Sequence, residues 1–404
     1  MIPRFKPNLG WSEIAALIGG RGVRAFEIEF AKAFEAPEAV AFPYGRSACF
    51  ALLKTLGIEG ADVVLPAYTC VVVAHAIVLS GNTCRFVDVT LDDYNMDLDR
   101  LESVITSRTA AIVPTHVFGY PLDLDRLERI VASAERRFGR KIFVLQDCAH
   151  SFGARWRGRL VCGAGDAALF GLGISKLMTS IFGGMITTGD PELASRLRRW
   201  RDAHFTPAGV LKPLLRRLYL LAVYPAFSDT LFGVVRWLQD ETPLLDRLAK
   251  AYHLDDQIRF PPDANDMMLD VEARVGLVQL AKYPEIIRRR IAVANVYDRE
   301  LRGIQGWTLP PIVEGATYSH YVVRVPDRAR IVAGFRQRGV QLGEVIEYSI
   351  PHMQPYGPAD PSEFPNSWHA SRSLINLPMQ ADLDRRDLDL IVACARGMAQ
   401  QAAA

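Results

Sequence analysis

The first 150 residues alternate short apolar runs with amphipathic stretches, and that alternation leaves few folds open. Ala39–Phe42, Asp62–Pro66, Cys84–Asp88, Ala110–Pro114 and Ile142–Gln146 read as strands. Residues 23–34, Gly45 to Leu56, Val71–Leu79, Leu98–Ile105 and Leu124–Phe138 read as helices. Strands alternating with helices predict an α/β fold: a mostly parallel sheet with helices on both faces. The chain has 404 residues, 50% of them hydrophobic, enough for one large domain and a smaller one. Past a long charged helix at 271–305, a strand (Tyr321–Val325) and helices (Arg328–Arg338, Asp384–Met398) alternate again. The expected division is a large domain over 1–290, carrying an insertion at about 207–258, and a small α/β domain over 291–404.

A formal net charge of +2 gives no reason to expect a polyanion partner, and nucleic-acid binding finds no further support. The six cysteines show no CxxC pairing, so no metal site is expected. Most lie in apolar runs, as buried reduced thiols of a cytoplasmic protein would. The start, Met1-Ile-Pro-Arg-Phe-Lys-Pro, has no apolar core of a secretion signal.

Ligands on such sheets sit beyond the carboxyl ends of the strands, and three polar residues fall there. Asp147 ends the run Lys141-Ile-Phe-Val-Leu-Gln-Asp147. Lys176 follows the next run, Ala167–Phe170, among small and apolar neighbours that continue to Gly183-Gly184. Such a lysine and acid are the pair that pyridoxal phosphate needs: the amine bonds the aldehyde, and the carboxylate keeps the pyridine nitrogen protonated. Gly45-Arg46-Ser47-Ala48 lies at a strand-to-helix turn, where free N–H groups suit a phosphate and Ser47 adds a hydroxyl. Each residue also has a plainer reading. Ser47 suits a helix N-cap, Asp147 a cap, His150 a core position, and Lys176 the surface.

The ordered set resembles the DegT/DnrJ/StrS family of sugar aminotransferases. The matching segments include Phe26-Glu27-Ile-Glu-Phe-Ala31, Gly45-Arg-Ser-Ala48, Asp62-Val-Val-Leu-Pro66-Ala-Tyr-Thr69 and Pro114-Thr-His116-Val-Phe-Gly119. They continue through Gln146-Asp147-Cys-Ala-His150-Ser-Phe-Gly153, Lys176 with Gly183-Gly184, and Asn265 followed by Glu272-Ala273. The resemblance implies the aspartate-aminotransferase-like fold (fold type I) and a homodimer with each active site at the subunit interface. By match, Lys176 is the lysine that bonds the cofactor, Asp147 the ring-nitrogen partner and His150 the ring neighbour. Ser47 falls on a phosphate-contacting position, and Asn265 would reach the phosphate of the other subunit's cofactor.

Three positions depart from the family's pattern. Gly171 stands where the family has a phosphate-binding serine, Cys70 where it has a stacking aromatic, and Met267 where it has an arginine. Tyr68 is the candidate substitute for the stacking ring. The activity implied is transfer of an amino group from glutamate to a nucleotide-linked keto sugar, in amino-sugar, polysaccharide or secondary-metabolite biosynthesis. The alternatives are a dehydratase with the same cofactor, an enzyme for a lipid-linked or other apolar keto substrate, and a non-catalytic relative. Retention of Lys176 argues against the family's dehydratases, which carry histidine there.

Residues 205–260 break the pattern. Pro213–Pro225 and Thr230–Leu238 read as apolar helices, each short of the roughly 20 residues that span a bilayer. Their apolar faces suit packing over the dimer or the site. Lys212, Arg216, Arg217 and Arg236 beside leucines and Trp237 also suit peripheral membrane contact through 208–240. Gly163-Ala-Gly165-Asp-Ala-Ala168 mimics a dinucleotide fingerprint but precedes a strand instead of following one. Arg198-Arg-Trp-Arg201 and Arg288-Arg-Arg290 read as solvated helix faces, and His320, His352 and His369 as core or surface residues, with a place in the substrate pocket as the alternative.

Overall fold

The structure, a computed structural model, describes residues 1–226 and 256–403. The expected helix Thr230–Leu238, with Arg236 and Trp237, lies outside the described residues. Five strands follow one another as expected: β1 (Glu38–Phe42), β2 (Asp62–Pro66), β3 (Thr83–Val87), β4 (Thr109–Ile112) and β5 (Phe143–Asp147). A short ribbon of β6 (Arg155–Trp156) and β7 (Arg159–Leu160) precedes β8 (Ala167–Gly171) and β9 (Gly184–Thr188). The main sheet has seven strands in the order β1-β9-β8-β5-β4-β2-β3. Strands β3, β2, β4, β5 and β8 are parallel, and β9 runs antiparallel to both β8 and β1. All five residues of β2 are buried, as expected of a strand covered on both faces.

The helices cover the sheet because their apolar residues recur at helical spacing. Leu124–Phe138 buries Leu124, Leu127, Val131 and Ala134; Asp123 caps its start by accepting the Arg126 N–H, and Gly139 ends it at φ 63°. On the other side Phe26, Phe30 and Phe34 of the Val23–Ala33 helix and its end pack against Phe152 and Phe170. The helix Asp270–Leu301 runs the length of the body. A small antiparallel pair, β10 (Tyr321–Arg324) and β11 (Leu374–Leu377), packs with helices Arg328–Gln337 and Arg385–Ala403 around a separate core. Tyr68, Phe118 and Tyr120 reach into that core from the main sheet.

This topology brings three tips together. Asp147 of β5 pairs in register with Leu169 of β8, and Gly171 at the end of β8 pairs with Gly184. Gly184 also pairs with Phe42, the last residue of β1, just before the Gly45 turn. A β-carbon on Gly184 would collide with the Tyr44 carbonyl and the Gly45 nitrogen, so only glycine lets turn and strand approach this closely. Gly165, at φ 72°, closes the turn into β8, where a side chain would strike the Val144 carbonyl. Gly165 of the fingerprint-like run therefore serves strand packing.

The arginine runs are not solvated faces throughout. Arg198 donates to the Ala39 carbonyl at 2.8 Å, and Arg201 to the Ala41 carbonyl at 3.1 Å. Both thus satisfy edge strand β1, helped by Glu27, which accepts the Ala41 N–H at 2.9 Å. Arg290 is buried and donates to the carbonyls of Tyr318 and Ser319, while Arg288 and Arg289 stay exposed beside Glu285.

Candidate active site

Asp147 is 1% exposed. No helix follows it, so it is not a helix cap; its Oδ1 accepts the Ala149 N–H at 3.0 Å. Its Oδ2 accepts from Thr115 Oγ1 at 3.2 Å, and Thr115 Oγ1 lies 3.0 Å from Thr69 Oγ1. Behind it His116 bonds Gln146 Oε1 at 2.9 Å and accepts the Leu122 N–H at 3.0 Å, so His116 is a scaffold residue. Burial pushes the Asp147 carboxyl up, opposed by the Ala149 N–H, the Lys176 charge and Thr115.

Lys176 is half-buried, in the loop between β8 and β9, its N–H donating to the Gly173 carbonyl at 3.0 Å. Its charge acts on Asp147, His150 and His320 alike. The His150 ring lies nearly parallel to Phe118, at 19° and 6.2 Å between centroids, and 5.0 Å from His320. Burial, then Lys176 and His320, hold His150 well below the usual histidine range, so it is a neutral ring. Burial, then Arg290 and Lys176, lower His320 to about 3. His320 packs against Phe118 and His150, beside the candidate site. His352 instead packs on Trp368, and His369 is exposed.

Gly45 and Gly171 form a cradle. A β-carbon on Gly45 would stand 3.4 Å from Gly171 Cα, and one on Gly171 would stand 3.5 Å from Lys176 Cε. The helix Gly45–Leu56 opens here, its first N–H groups free of intrahelical partners. The Ser47 hydroxyl is committed elsewhere: it donates to the Ala264 carbonyl at 2.7 Å. With that hydroxyl engaged, the backbone N–H at the start of the helix is the other group Ser47 offers a phosphate. Arg46 Nη1 is buried without a hydrogen-bond partner. Cys70 is half-buried at the N-cap of the helix Val71–Leu79. Tyr68 packs edge-on against Phe118, inside the core shared with the small sheet. Asn265 is exposed, on the segment to which Ser47 is tied.

A buried carboxylate, an adjacent lysine, an unpartnered His150 Nδ1 and a glycine-lined helix start together fit pyridoxal phosphate. Thr115 was not legible as a site residue, because its role depends on a strand pairing that brings it beside Asp147.

The chain matches the DegT/DnrJ/EryC1/StrS aminotransferase family over residues 12–210 and 250–396. It is 30% identical to dTDP-4-dehydro-2,3,6-trideoxy-D-glucose 4-aminotransferase of Saccharopolyspora spinosa, covering 95% of this chain and 93% of that one. It is 26% identical to GDP-perosamine synthase of Caulobacter vibrioides, covering 93% and 89%. Among solved structures, the aminotransferase TlmJ from Streptoalloteichus hindustanus superposes with a TM-score of 0.77 at 26% identity, covering 100% of both chains. The chain therefore belongs to the DegT/DnrJ/EryC1/StrS family and is an aminotransferase with pyridoxal phosphate as its cofactor.

Proposed function

We propose that the enzyme moves an amino group from glutamate to a keto sugar carried on a nucleotide. The relatives named for dTDP- and GDP-linked sugars support this substrate class. The observation that supports the site assignment is geometric: Asp147 ends the strand beside β8, and Lys176 Cε lies against Gly171, which faces the Gly45 turn.

When bound, pyridoxal phosphate supplies the sink for the electrons released at the carbon bearing the nitrogen. The Lys176 Nζ takes the proton from that carbon and returns it on the acceptor side, as a general base and then a general acid. Asp147 holds a proton on the ring nitrogen, and Thr115 and the Ala149 N–H keep its carboxylate aimed. Neutral His150 flanks the ring without adding a charge that would compete with Lys176. The N–H groups that open Gly45–Leu56, with Arg46, receive the phosphate in a cradle where Gly171 offers no hydroxyl.

The same reading makes the enzyme a homodimer in which exposed Asn265 completes the partner's phosphate site. It divides the chain into a cofactor domain over 1–290 and a small domain over 291–404, the helix Asp270–Leu301 linking the two. The six unbridged thiols support a reducing, cytoplasmic setting.

One observation favours a second reading, in which the protein touches a membrane peripherally and acts on a lipid-linked or apolar substrate. Leu211, Leu214, Leu215, Leu218 and Leu221 form an exposed row. The cations of that helix add less than its sequence promises, because Lys212 and Arg216 turn inward to carboxylates. Among the described residues no helix is long and apolar enough to cross a membrane. Liposome flotation with and without residues 208–258 decides this reading, which fails if neither form floats.

The main proposal is tested by adding pyridoxal phosphate and then glutamate. A near-visible absorbance band should form and then bleach, and dTDP- or GDP-linked keto sugars should restore it with formation of an amino sugar. A band that glutamate leaves unbleached would reject glutamate as the donor, and one that no amino donor bleaches would overturn the proposal.

A further inference from the structure

Residues 211–249 lie outside the family match, yet the helix Leu211–Ala226 packs on Tyr44, Phe182 and Asp263, each from a segment beside the cradle. The helix Leu211–Ala226 turns Lys212, Arg216 and Leu220 toward the body. Lys212 Nζ lies 3.0 Å from Asp263 Oδ2 and 2.8 Å from Asp266 Oδ2. Arg216 is 7% exposed. Its Nε donates to Glu272 Oε1 at 3.0 Å, and its Nη2 donates to Asp263 Oδ2 at 2.8 Å and to the Tyr44 hydroxyl at 3.2 Å. The guanidinium also sits 3.9 Å from the centre of the Phe182 ring. Leu220 is fully buried in a cluster with Leu17, Ile181, Leu269, Val271 and Val275.

Each partner belongs to a different wall. Tyr44 is the N-cap residue of the helix whose first N–H groups face the cradle. Its hydroxyl also donates to Asp263 Oδ1 at 2.8 Å. Phe182 lies in the loop that carries Lys176, next to Ile181, whose φ of 74° is unfavourable for a β-branched residue. A loop holding that conformation needs packing from outside itself, and the cluster around Leu220 supplies it. Asp263 and Glu272 flank Asn265 in the third wall. The buried charges are strongly directional, because a guanidinium holds two carboxylates and a ring only in one arrangement.

We propose that the helix Leu211–Ala226 is a clamp added to the family fold, with Arg216 as the residue that positions the phosphate turn, the lysine loop and the Asn265 segment for cofactor binding. This rests on the placement of pyridoxal phosphate proposed above. Arg216 touches neither the substrate nor the reacting atoms; it acts through Tyr44 and Phe182.

The test is titration of the full-length apo-enzyme with pyridoxal phosphate, read by the absorbance band, beside the melting temperature of the apo form. Arg216→Ala should raise the half-saturating concentration by roughly 30-fold, in line with the loss of one partner of a buried charge pair. Arg216→Lys should restore part of that loss. Tyr44→Phe keeps every charge paired and should raise the concentration about 3- to 10-fold, with a fall in apo melting temperature no larger than the loss of one hydrogen-bonding group gives. Leu218→Ala, on the exposed face of the same helix, should bind as the parent does. Where Arg216→Ala does not fold, Tyr44→Phe decides. The clamp is refuted if Tyr44→Phe binds like the parent, or if Arg216→Ala folds and loses only melting temperature. A parent enzyme that takes up no cofactor would instead remove the site assignment, and the clamp with it.

Discussion

Asp147 and Lys176 stand at the ends of adjacent parallel strands, yet the chain holds them by different means. The tip of β5 is fixed by the sheet: Asp147 is buried, hydrogen-bonded at both oxygens, and backed by a histidine with both nitrogens engaged. The loop after β8 has no regular structure of its own from Leu172 to Gly183. Its closing bonds are local, from the Leu172 N–H to the Gly183 carbonyl at 2.9 Å and from the Ser180 N–H to the Leu172 carbonyl at 2.9 Å. Further support comes from Gln279, which accepts the Thr179 N–H at 3.5 Å, from the core that buries Leu172, Leu177 and Met178, and from the helix Leu211–Ala226. A rigid carboxylate thus sets where the ring nitrogen goes, while the amine that moves protons rides on a segment braced from outside. Such a division suits a group that must bond the cofactor, release it and then act as acid and base.

The comparison can be broken at either end. The largest expected effect is that of Lys176→Ala, which removes the group that both bonds the aldehyde and carries the proton. Turnover should fall by about 10⁴-fold or more with the absorbance band lost, as measured by single-turnover kinetics. Asp147→Asn should fold normally and lower turnover by roughly 10²- to 10³-fold, the range found when one preorganised electrostatic partner is lost. A kcat equal to the parent's would reject that role.

Acid tests the β5 side through one group, His116, whose share a single substitution removes. Burial lowers His116 to about 4, while the unfolded chain titrates near 6.5. The unfolded state therefore binds more protons between those values, and the His116 contribution to stability, fully present above pH 6.5, is lost as pH falls toward 4. The loss should amount to up to about 3 kcal/mol in denaturant midpoints, and His116→Gln should flatten it. A profile indifferent to that substitution would show that His116 does not anchor β5. The smallest effect is expected from Gly184→Ala, whose added carbon meets the Tyr44 and Gly45 backbone. It should cost about 1–3 kcal/mol of stability and weaken cofactor binding without moving Asp147. Calorimetry and cofactor titration measure both.

Most of the sheet was legible because its strands are nearly continuous apolar runs ending at glycine, proline or acidic residues. Asp62–Pro66, Val71–Leu79 and Leu124–Phe138 fall where the periodicity puts them. Strand β9 was not, since Gly184-Met-Ile-Thr-Thr188 is short and pairs antiparallel between partners distant in sequence. The chain order of Gly45, Asp147 and Lys176 pointed to the candidate site, but the groups that tune it did not stand out. Thr115, the Ser47–Ala264 bond and Arg216 act only across long sequence separations. The Arg198 and Arg201 spacing looked like a wet helix face because nothing local reveals the open edge of β1 beneath it. The lysine and arginine of the added helix were legible as cations, but not the carboxylates that draw them inward.

The central claim is that one amine, Lys176, bonds the cofactor aldehyde. Incubation with pyridoxal phosphate, reduction with borohydride and peptide mapping by mass spectrometry tests it directly. The account predicts a single pyridoxyl adduct, on the peptide containing Lys176. An adduct on Lys54, Lys141 or another lysine in its place, or no stoichiometric adduct at all, would contradict it.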